Sequence, residues 1–288
     1  MVNKLAKEAE IGQWVEKQYP LNTIELDYGT ISYRSSGGQS PKSNHMILLH
    51  GIGSGSGSWA QTMSFFKQSY EVISWDAPGY NLSTPLSVEK PSPIDYAQKL
   101  GLFCEGLGIL PTVVVGHSMG ALIAGAYIAE INQDLPKLIL ANPANGYGMA
   151  DPDLRQKKLS DRLSMIRKLG PLEMAKQRSA SLLSSFAGKE SLNLVEWNMG
   201  KVTLKGYEQA SYALANGHLI GCLSKHKEQI MVLCSEEDSI TPVDACREVS
   251  KVSKNSTFKI LPGLGHASYV EDPSLFNNAV SDFLYSGL

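Results

Sequence analysis

Segments with the character of buried strands alternate with segments of helical spacing along most of this chain. Four segments predict strands, and they lie at 45–51, 70–76, 112–116 and 137–143. Helical spacing separates the last three of them, at 93–109 and 119–131. Ahead of them, residues 23–38 predict an antiparallel hairpin that turns at Tyr28-Gly29. This alternation predicts a mostly parallel sheet with helices on both faces.

One block interrupts the alternation. Between Ala144 and Lys227 the chain is rich in Lys, Arg, Ser and Met and lacks β-branched runs, so we expect helices rather than strands. These helices are predicted around 152–169, 171–186, 190–199 and 205–216. Strands resume at 228–238 and 256–263, before a final helix. We therefore predict an α/β fold, with a doubly wound core at 1–143 and 228–288 and a helical cap inserted at 144–227.

Composition and charge exclude several classes of protein. The chain has 288 residues, of which 43% are hydrophobic and 19% charged, with a formal net charge of −2. Such a chain forms a sizeable core and has no basic footprint for nucleic acid. Its four cysteines form no CxxC pair, and neither a signal peptide nor a membrane-length apolar run is present. We expect a cytoplasmic monomer or homodimer that binds a small-molecule substrate, without nucleic-acid or membrane partners.

The pentapeptide GHSMG, from Gly116 to Gly120, joins a predicted strand directly to a predicted helix. It fits the pattern G-x-S-x-G, in which a sharp turn exposes the serine hydroxyl and small neighbours admit close backbone approach. The helix that follows adds a positive dipole at the same place. Ser118 is therefore a candidate nucleophile. The alternative is that Ser118 only caps the helix, a role that serine fills well.

A serine nucleophile needs a base, and the base needs an orienting carboxylate. His266 follows the last predicted strand in the glycine-rich loop LPGLGHASYVEDP. The strand predicted at 228–238 ends with three acids in a row, and we favour Asp238, which precedes Ser-Ile-Thr-Pro and so belongs to the loop, over Glu237. All three candidates follow strands in the order Ser, Asp, His, one of the known orders for this geometry. The adjacent His117 is expected to point away from the Ser118 hydroxyl, and His50 to brace the next loop.

The glycine-rich stretch HGIGSGSGSW follows the first buried strand. No frame in it gives G-x-G-x-x-G, and G-K-[ST] is absent, so it predicts neither a dinucleotide nor a phosphate site. We expect no cofactor, and no metal, because H-E-x-x-H and ligand-spaced clusters are also absent. A flexible turn here can instead direct the N–H of Ile52 or Gly53 toward Ser118. Together with the N–H of Met119, it would form an oxyanion hole.

These segments together resemble the α/β-hydrolase family along nearly the whole chain. The resemblance is carried by the following stretches: His50-Gly51, DAPGYNLS, GHSMG, SEEDSITP and GLGHASYVEDP. It is closest to small capped bacterial hydrolases, a set that includes esterases, enol-lactonases, haloperoxidase-like enzymes and C–C bond hydrolases. The resemblance implies a triad of Ser118, Asp238 and His266, with Ile52 and Met119 as the oxyanion donors.

The chain departs from the family pattern in a few places. Asn81 stands where the family often has a second glycine in DAPGYNLS, and asparagine tolerates the left-handed backbone of that turn better than most residues. The C–C hydrolases usually carry Asn before the nucleophile and Trp after the histidine, where this chain has His117 and Ala267. Epoxide and haloalkane hydrolases resemble the pattern but use Asp where this chain has Ser118.

The function expected from these features is hydrolysis of a carboxylic ester or lactone through an acyl-enzyme. The alternatives are a C–C bond hydrolase of ring-cleavage products and a catalytically idle ligand receptor on the same fold. The predicted substrate pocket comprises Gly53, Trp59, Arg178, Phe186 and Trp197. The cap's aromatic residues can instead form its own core, and Arg178 can either pair with a substrate carboxylate or remain solvated.

Overall fold

The computed structural model describes residues 2–37, 44–224 and 226–286, with side chains from residue 10 onward. The strands are β1 (Asn22–Leu26), β2 (Gly29–Ser35), β3 (His45–Leu49), β4 (Glu71–Trp75), β5 (Pro111–His117), β6 (Lys137–Ala141), β7 (Gln229–Ser235) and β8 (Ser256–Leu261). The helices are α1 (Val2–Gln18), α2 (Ala60–Phe66), α3 (Pro93–Gly106), α4 (Met119–Glu130), α5 (Pro152–Arg178), α6 (Lys189–Met199), α7 (Leu204–Asn216), α8 (Leu219–Leu223), α9 (Val243–Ser250), α10 (Ser268–Glu271) and α11 (Pro273–Tyr285).

The strands form a single sheet in the order β1-β2-β4-β3-β5-β6-β7-β8. Strand β2 pairs antiparallel with β1 and with β4, and the pairs from β4–β3 to β7–β8 are all parallel. In the centre the registers align Leu49 with Gly116 and His117 with Ala141. Neighbouring parallel strands therefore end at one edge of the sheet, and the loops that follow them meet there. The expected doubly wound α/β-hydrolase fold is confirmed.

Central strands and flanking helices form one apolar core. Strand β3 is buried at every position, and helix α4 is buried at each residue from Met119 to Ile128. A helix that is apolar all round is one that packs on several sides, which is the position of α4 between the sheet, α3 and α8. None of the helices in the described ranges combines the length and apolarity needed to cross a bilayer.

The helices α5 to α8 lie between β6 and β7, in the segment predicted as a cap. The predicted limits of that segment, at 143/144 and 227/228, fall in the connections that flank these strands. The two helices expected at 152–169 and 171–186 are continuous as α5 except at Gly170, whose backbone is not helical (φ 68°, ψ 171°). The short helices α2, α8, α9 and α10 were not predicted.

The helix expected to reach residue 186 instead ends at Arg178 and continues as a 3-10 turn to Leu182. Leu183 then takes an extended backbone (φ −124°, ψ 161°). The reason is a tertiary contact with the loop that carries His266. The N–H of Ala267 donates to the Leu182 carbonyl at 2.8 Å, and a Cβ on Gly265 would lie 2.5 Å from the Ser184 nitrogen. This contact overrides helix propensity in the segment.

Candidate active site

Ser118 lies in a strained turn between β5 and α4. Its backbone has φ 54° and ψ −113°, a conformation that residues other than glycine rarely adopt. The flanking glycines are required by space: a Cβ on Gly116 would lie 2.5 Å from the Gly120 carbonyl oxygen. A Cβ on Gly120 would overlap the carbonyl group of Leu49 at the end of β3. The geometry is therefore that of a nucleophile elbow, and the side chain of Ser118 makes no capping hydrogen bond to α4.

The loops after β7 and β8 bring a carboxylate and an imidazole together. Nδ1 of His266 lies 2.7 Å from Oδ2 of Asp238, and each residue is only 4% exposed. Glu237, the alternative acid, is exposed. Because the carboxylate accepts, Nδ1 of His266 is the nitrogen that donates, and its Nε2 is left to take the proton of the serine hydroxyl.

Besides His266, three residues donate hydrogen bonds to the Asp238 carboxylate. Asn142 Nδ2 donates to Oδ2 at 2.7 Å and Thr241 Oγ1 at 2.6 Å, while the N–H of Ile240 and of Thr241 donate to Oδ1 at 2.7 and 3.0 Å. Burial by itself would raise the pKa of Asp238, but its bonds to His266 and Thr241 hold that pKa well below the ordinary value. Asp238 is therefore ionised at neutral pH. Asn142 follows β6 and has a left-handed backbone (φ 45°), and sequence reasoning did not find its role.

Two further histidines support the loops of the site. Nε2 of His117 donates to the carbonyl oxygen of His266 at 2.9 Å, so its ring holds the backbone of that loop. Burial and the neighbouring His266 lower the pKa of His117 to about 3, so it is neutral. The N–H of Ala77 donates to Nε2 of His50 at 3.0 Å, and Nδ1 of His50 donates to the Gly51 carbonyl at 2.8 Å. His50 thus braces the glycine-rich loop as predicted.

Ser118 and His266 line one cavity of about 330 Å³ between the sheet edge and the helices α5 to α7. The two side chains form no hydrogen bond to each other in this structure. Apo catalytic sites often have such open geometry, which tightens when substrate binds. Ile52 and Gly53 also line the cavity, and Met119 is the first residue of α4, whose leading N–H groups have no acceptor within the helix.

A buried carboxylate orders the glycine-rich loop. Asp76 Oδ1 accepts from the N–H of Ser56 at 2.7 Å and from Nδ2 of Asn81 at 2.8 Å, and its Oδ2 accepts from the hydroxyls of Ser56 and Ser32. The hydroxyl of Tyr80 donates to the Ile52 carbonyl at 2.8 Å. Asn81 takes the left-handed backbone that its position requires (φ 46°). The aspartate after β4 is therefore structural, and it fixes the loop that faces Ser118.

Three of the residues predicted to line the pocket lie elsewhere. Trp59 is fully buried and stacks behind Tyr269, with ring centroids 3.9 Å apart. Trp197 faces outward from the cavity, against α1 and under the ammonium group of Lys201, 3.5 Å from the ring centroid. Phe186 is 84% exposed because the chain around Leu183 turns to follow the His266 loop. Gly53 and Arg178 do line the cavity.

Metal ligands are not gathered in this site. Over the described ranges, no group of three or more His, Cys, Asp or Glu side chains is placed to hold one metal ion. The cavity itself is lined by two histidines and two arginines but by no Asp or Glu, so a divalent cation would meet no anionic ligand on its walls.

Comparisons with known proteins agree with the fold. The family model for the alpha/beta hydrolase fold matches residues 44–273, so the chain belongs to that family and is a hydrolase by fold. Monoacylglycerol lipase ABHD6 of Mus musculus is 22% identical over 273 residues, covering 88% of this chain and 79% of that protein. A 2-hydroxy-6-oxononadienedioate/2-hydroxy-6-oxononatrienedioate hydrolase of Comamonas testosteroni is 26% identical over 259 residues, covering 84% and 88%. The enol-lactonase of Burkholderia xenovorans LB400 shares the fold, with a TM-score of 0.81 at 18% identity, covering 91% and 99%.

Proposed function

We propose that this protein is a serine hydrolase that cleaves a carboxylic ester or lactone of a small substrate through an acyl-enzyme. The observation that carries the proposal is the 2.7 Å bond from the buried Asp238 to His266, which lines the same cavity as Ser118 at its strained elbow. A base that is oriented in this way activates a serine hydroxyl.

The mechanism follows from the protons and lone pairs of these groups. The Ser118 oxygen attacks the substrate carbonyl as Nε2 of His266 takes its proton, and Asp238 stabilises the imidazolium that forms. The N–H groups of Ile52 and Met119 bind the oxyanion, and each such donor lowers the barrier by about 3 kcal/mol. The imidazolium then gives its proton to the leaving alkoxide, and the acyl group stays on Ser118. Water, deprotonated by the same His266, releases the acid and restores the serine.

The relatives support an ester or lactone substrate. Among the similar proteins, one is named as a monoacylglycerol lipase and one as an enol-lactonase, and both names describe cleavage of a C–O bond at an acyl carbon. The cavity of about 330 Å³ fits a small acyl compound better than a long-chain lipid.

Hydrolysis of a C–C bond is the second candidate. It is favoured by the similarity to the oxononadienedioate hydrolase. His117 and Ala267, where such hydrolases usually carry Asn and Trp, argue against it. The same Ser118 and His266 would act in either reaction, so only the substrate separates them.

The test compares purified protein on a series of p-nitrophenyl esters, several lactones and a coloured ring-cleavage substrate. The proposal expects ester or lactone turnover that is lost in Ser118→Ala and kept in Ser224→Ala, an exposed serine on the far end of α8. Faster bleaching of the ring-cleavage substrate than of any ester would favour the C–C reaction. Tight ligand binding without turnover on the whole panel would favour the idle receptor.

A further inference from the structure

The part of the cavity wall that comes from the cap has an unusual composition. On the helices α5 to α7, three side chains with hydrogen-bond donors line the cavity, namely Arg162 and Arg178 on α5 and Tyr207 on α7. Asn145 and Tyr147 add an amide and a second phenol from the connection that precedes α5. The remaining cavity-lining residues of these helices and their connections are apolar, namely Met165, Met174, Leu182, Val195, Met199 and Leu214. The cap wall thus offers two positive charges, two phenols and one amide in an otherwise apolar surface.

The Arg162 guanidinium is held in place by neutral groups. Its Nη1 donates to the Lys158 carbonyl at 3.0 Å, and its Nη2 lies 3.5 Å from the Tyr147 hydroxyl. The guanidinium carbon lies 5.2 Å from the centroid of the Tyr147 ring, which also lines the cavity. These contacts use two of the five N–H groups of an arginine, and the other three remain for a ligand. None of these contacts neutralises the charge.

Neither cavity arginine has an anionic partner. Within the part of the chain that the structure describes, no carboxylate pairs with Arg162 or Arg178, and no Asp or Glu lines the cavity. On the outer faces of the cap, in contrast, Arg167 pairs with Glu208 at 2.5 Å. Arg162 is half-buried and Arg178 is exposed, and both lack the carboxylate partner that their neighbours on α5 have. An anion that entered the cavity would supply the missing counter-charge.

Tyr207 adds a neutral donor to the pair. The residue is 5% exposed, and burial raises the pKa of its hydroxyl while the charges of Arg162 and Arg178 act in the opposite direction. All three residues line the same cavity. Among the described residues none forms a hydrogen bond with this hydroxyl.

We propose that Arg162 and Arg178, with the Tyr207 hydroxyl, bind a carboxylate on the substrate, so that the ester or lactone cleaved at Ser118 bears a free carboxylate away from the scissile bond. The planar guanidinium group matches the two oxygens of a carboxylate. This inference rests on the proposed function, because it assigns the substrate class of the same cavity.

The experiment uses two pairs of esters, each made of a free carboxylate and its methyl ester. The ratio of kcat/KM for each pair is divided by the ratio of the rates of alkaline hydrolysis, which corrects for the better leaving group of the methyl ester in the second pair. In the first pair the charge is on the acyl side: mono-p-nitrophenyl glutarate and its methyl ester. In the second it is on the alcohol side: p-carboxyphenyl butanoate and its methyl ester. The readout is the ratio of kcat/KM within each pair, which does not depend on how much of a variant is folded. We expect a ratio of about tenfold or more in favour of the free carboxylate for at least one pair.

The variants Arg162→Gln, Arg178→Gln and the double variant test the assignment. Each single variant should lower the ratio severalfold, chiefly through KM, and the double variant should bring it close to one. Arg167→Gln is the matched control, since Arg167 lies on the same helix, is paired with Glu208 and does not line the cavity. Its ratio should equal that of the unmodified protein. Raising the ionic strength to about 1 M should also reduce the ratio.

Two failures are distinguishable. Equal kcat/KM within both pairs, or a ratio that survives in the double variant, would overturn the carboxylate subsite while ester hydrolysis stands. If neither member of either pair is cleaved and Ser118 does not react with a fluorophosphonate, then the proposed function itself is wrong.

Discussion

The elbow around Ser118 makes a quantitative prediction about Gly120. Alanine usually stabilises a helix by about 1 kcal/mol relative to glycine. At Gly120, however, the new Cβ would overlap the Leu49 carbonyl oxygen and lie 2.7 Å from its carbon and 2.9 Å from the His50 oxygen. These atoms belong to the backbone of a central strand and cannot rotate away. Overpacking of this kind costs about 1–3 kcal/mol or more, so we expect Gly120→Ala to lower the free energy of unfolding by about 2 kcal/mol.

Gly125→Ala is the matched control, one and a half turns further along α4. There the new Cβ would overlap only Cδ1 of Leu219, the far end of a flexible side chain, and the next neighbour is at 3.5 Å. Helix propensity offsets most of the cost of this overlap. In urea unfolding, Gly125→Ala should therefore lower the free energy of unfolding by at least about 1 kcal/mol less than Gly120→Ala does. Since the Gly120 overlap pushes on the loop of Ile52, the folded fraction of Gly120→Ala should also lose at least about tenfold in ester hydrolysis. Equal stability of the two variants would refute the reasoning.

Three other perturbations test the surroundings of the site. Asn142→Ala removes a 2.7 Å donor from Asp238, and we expect kcat to fall about tenfold with little change in KM, measured by steady-state hydrolysis. Glu271→Gln weakens the acceptor that joins the cap to the His266 loop through Ser184 and Gly265, and urea unfolding should show a loss of about 2 kcal/mol against less than about 0.5 for the exposed Glu248→Gln. His117 has a folded pKa of about 3 against an ordinary 6.5, so the unfolded state binds the extra proton and stability falls as pH drops from 6.5 toward 3. The slope should approach about 1.4 kcal/mol per pH unit for this group, and His117→Gln should flatten the dependence by that amount; an unchanged slope would show that His117 is not held neutral.

The sheet and the positions of the site loops were predictable because both follow from local patterns. The run 46–49 is apolar at every position, and a run this short is typical of a strand buried on both faces. Parallel strands end at the same edge, so residues just after strands, such as Ser118 and Asp238, are brought together by topology alone. The order of these residues along the chain, Ser118 before Asp238 before His266, is one of the known orders for such a site.

The parts that escaped prediction depend on contacts between distant segments. Asn142 and Asp238 are 96 positions apart and nothing in either local sequence indicates their bond. Leu183 is extended because it packs on the His266 loop, a contact that helix propensity does not contain. The sequence shows that an aromatic residue is present but not what it packs against: Trp197 packs against Gly12 of α1 and against Gly57, and Phe186 is 84% exposed.

The central claim is that Ser118, His266 and Asp238 act as one unit, and the most direct measurement is the rate and site of labelling by a fluorophosphonate. The account predicts one adduct, mapped by mass spectrometry to Ser118, absent in Ser118→Ala and formed at least about a hundredfold more slowly in His266→Gln. An adduct on another residue, or labelling of Ser118 at an undiminished rate without the imidazole, would contradict it.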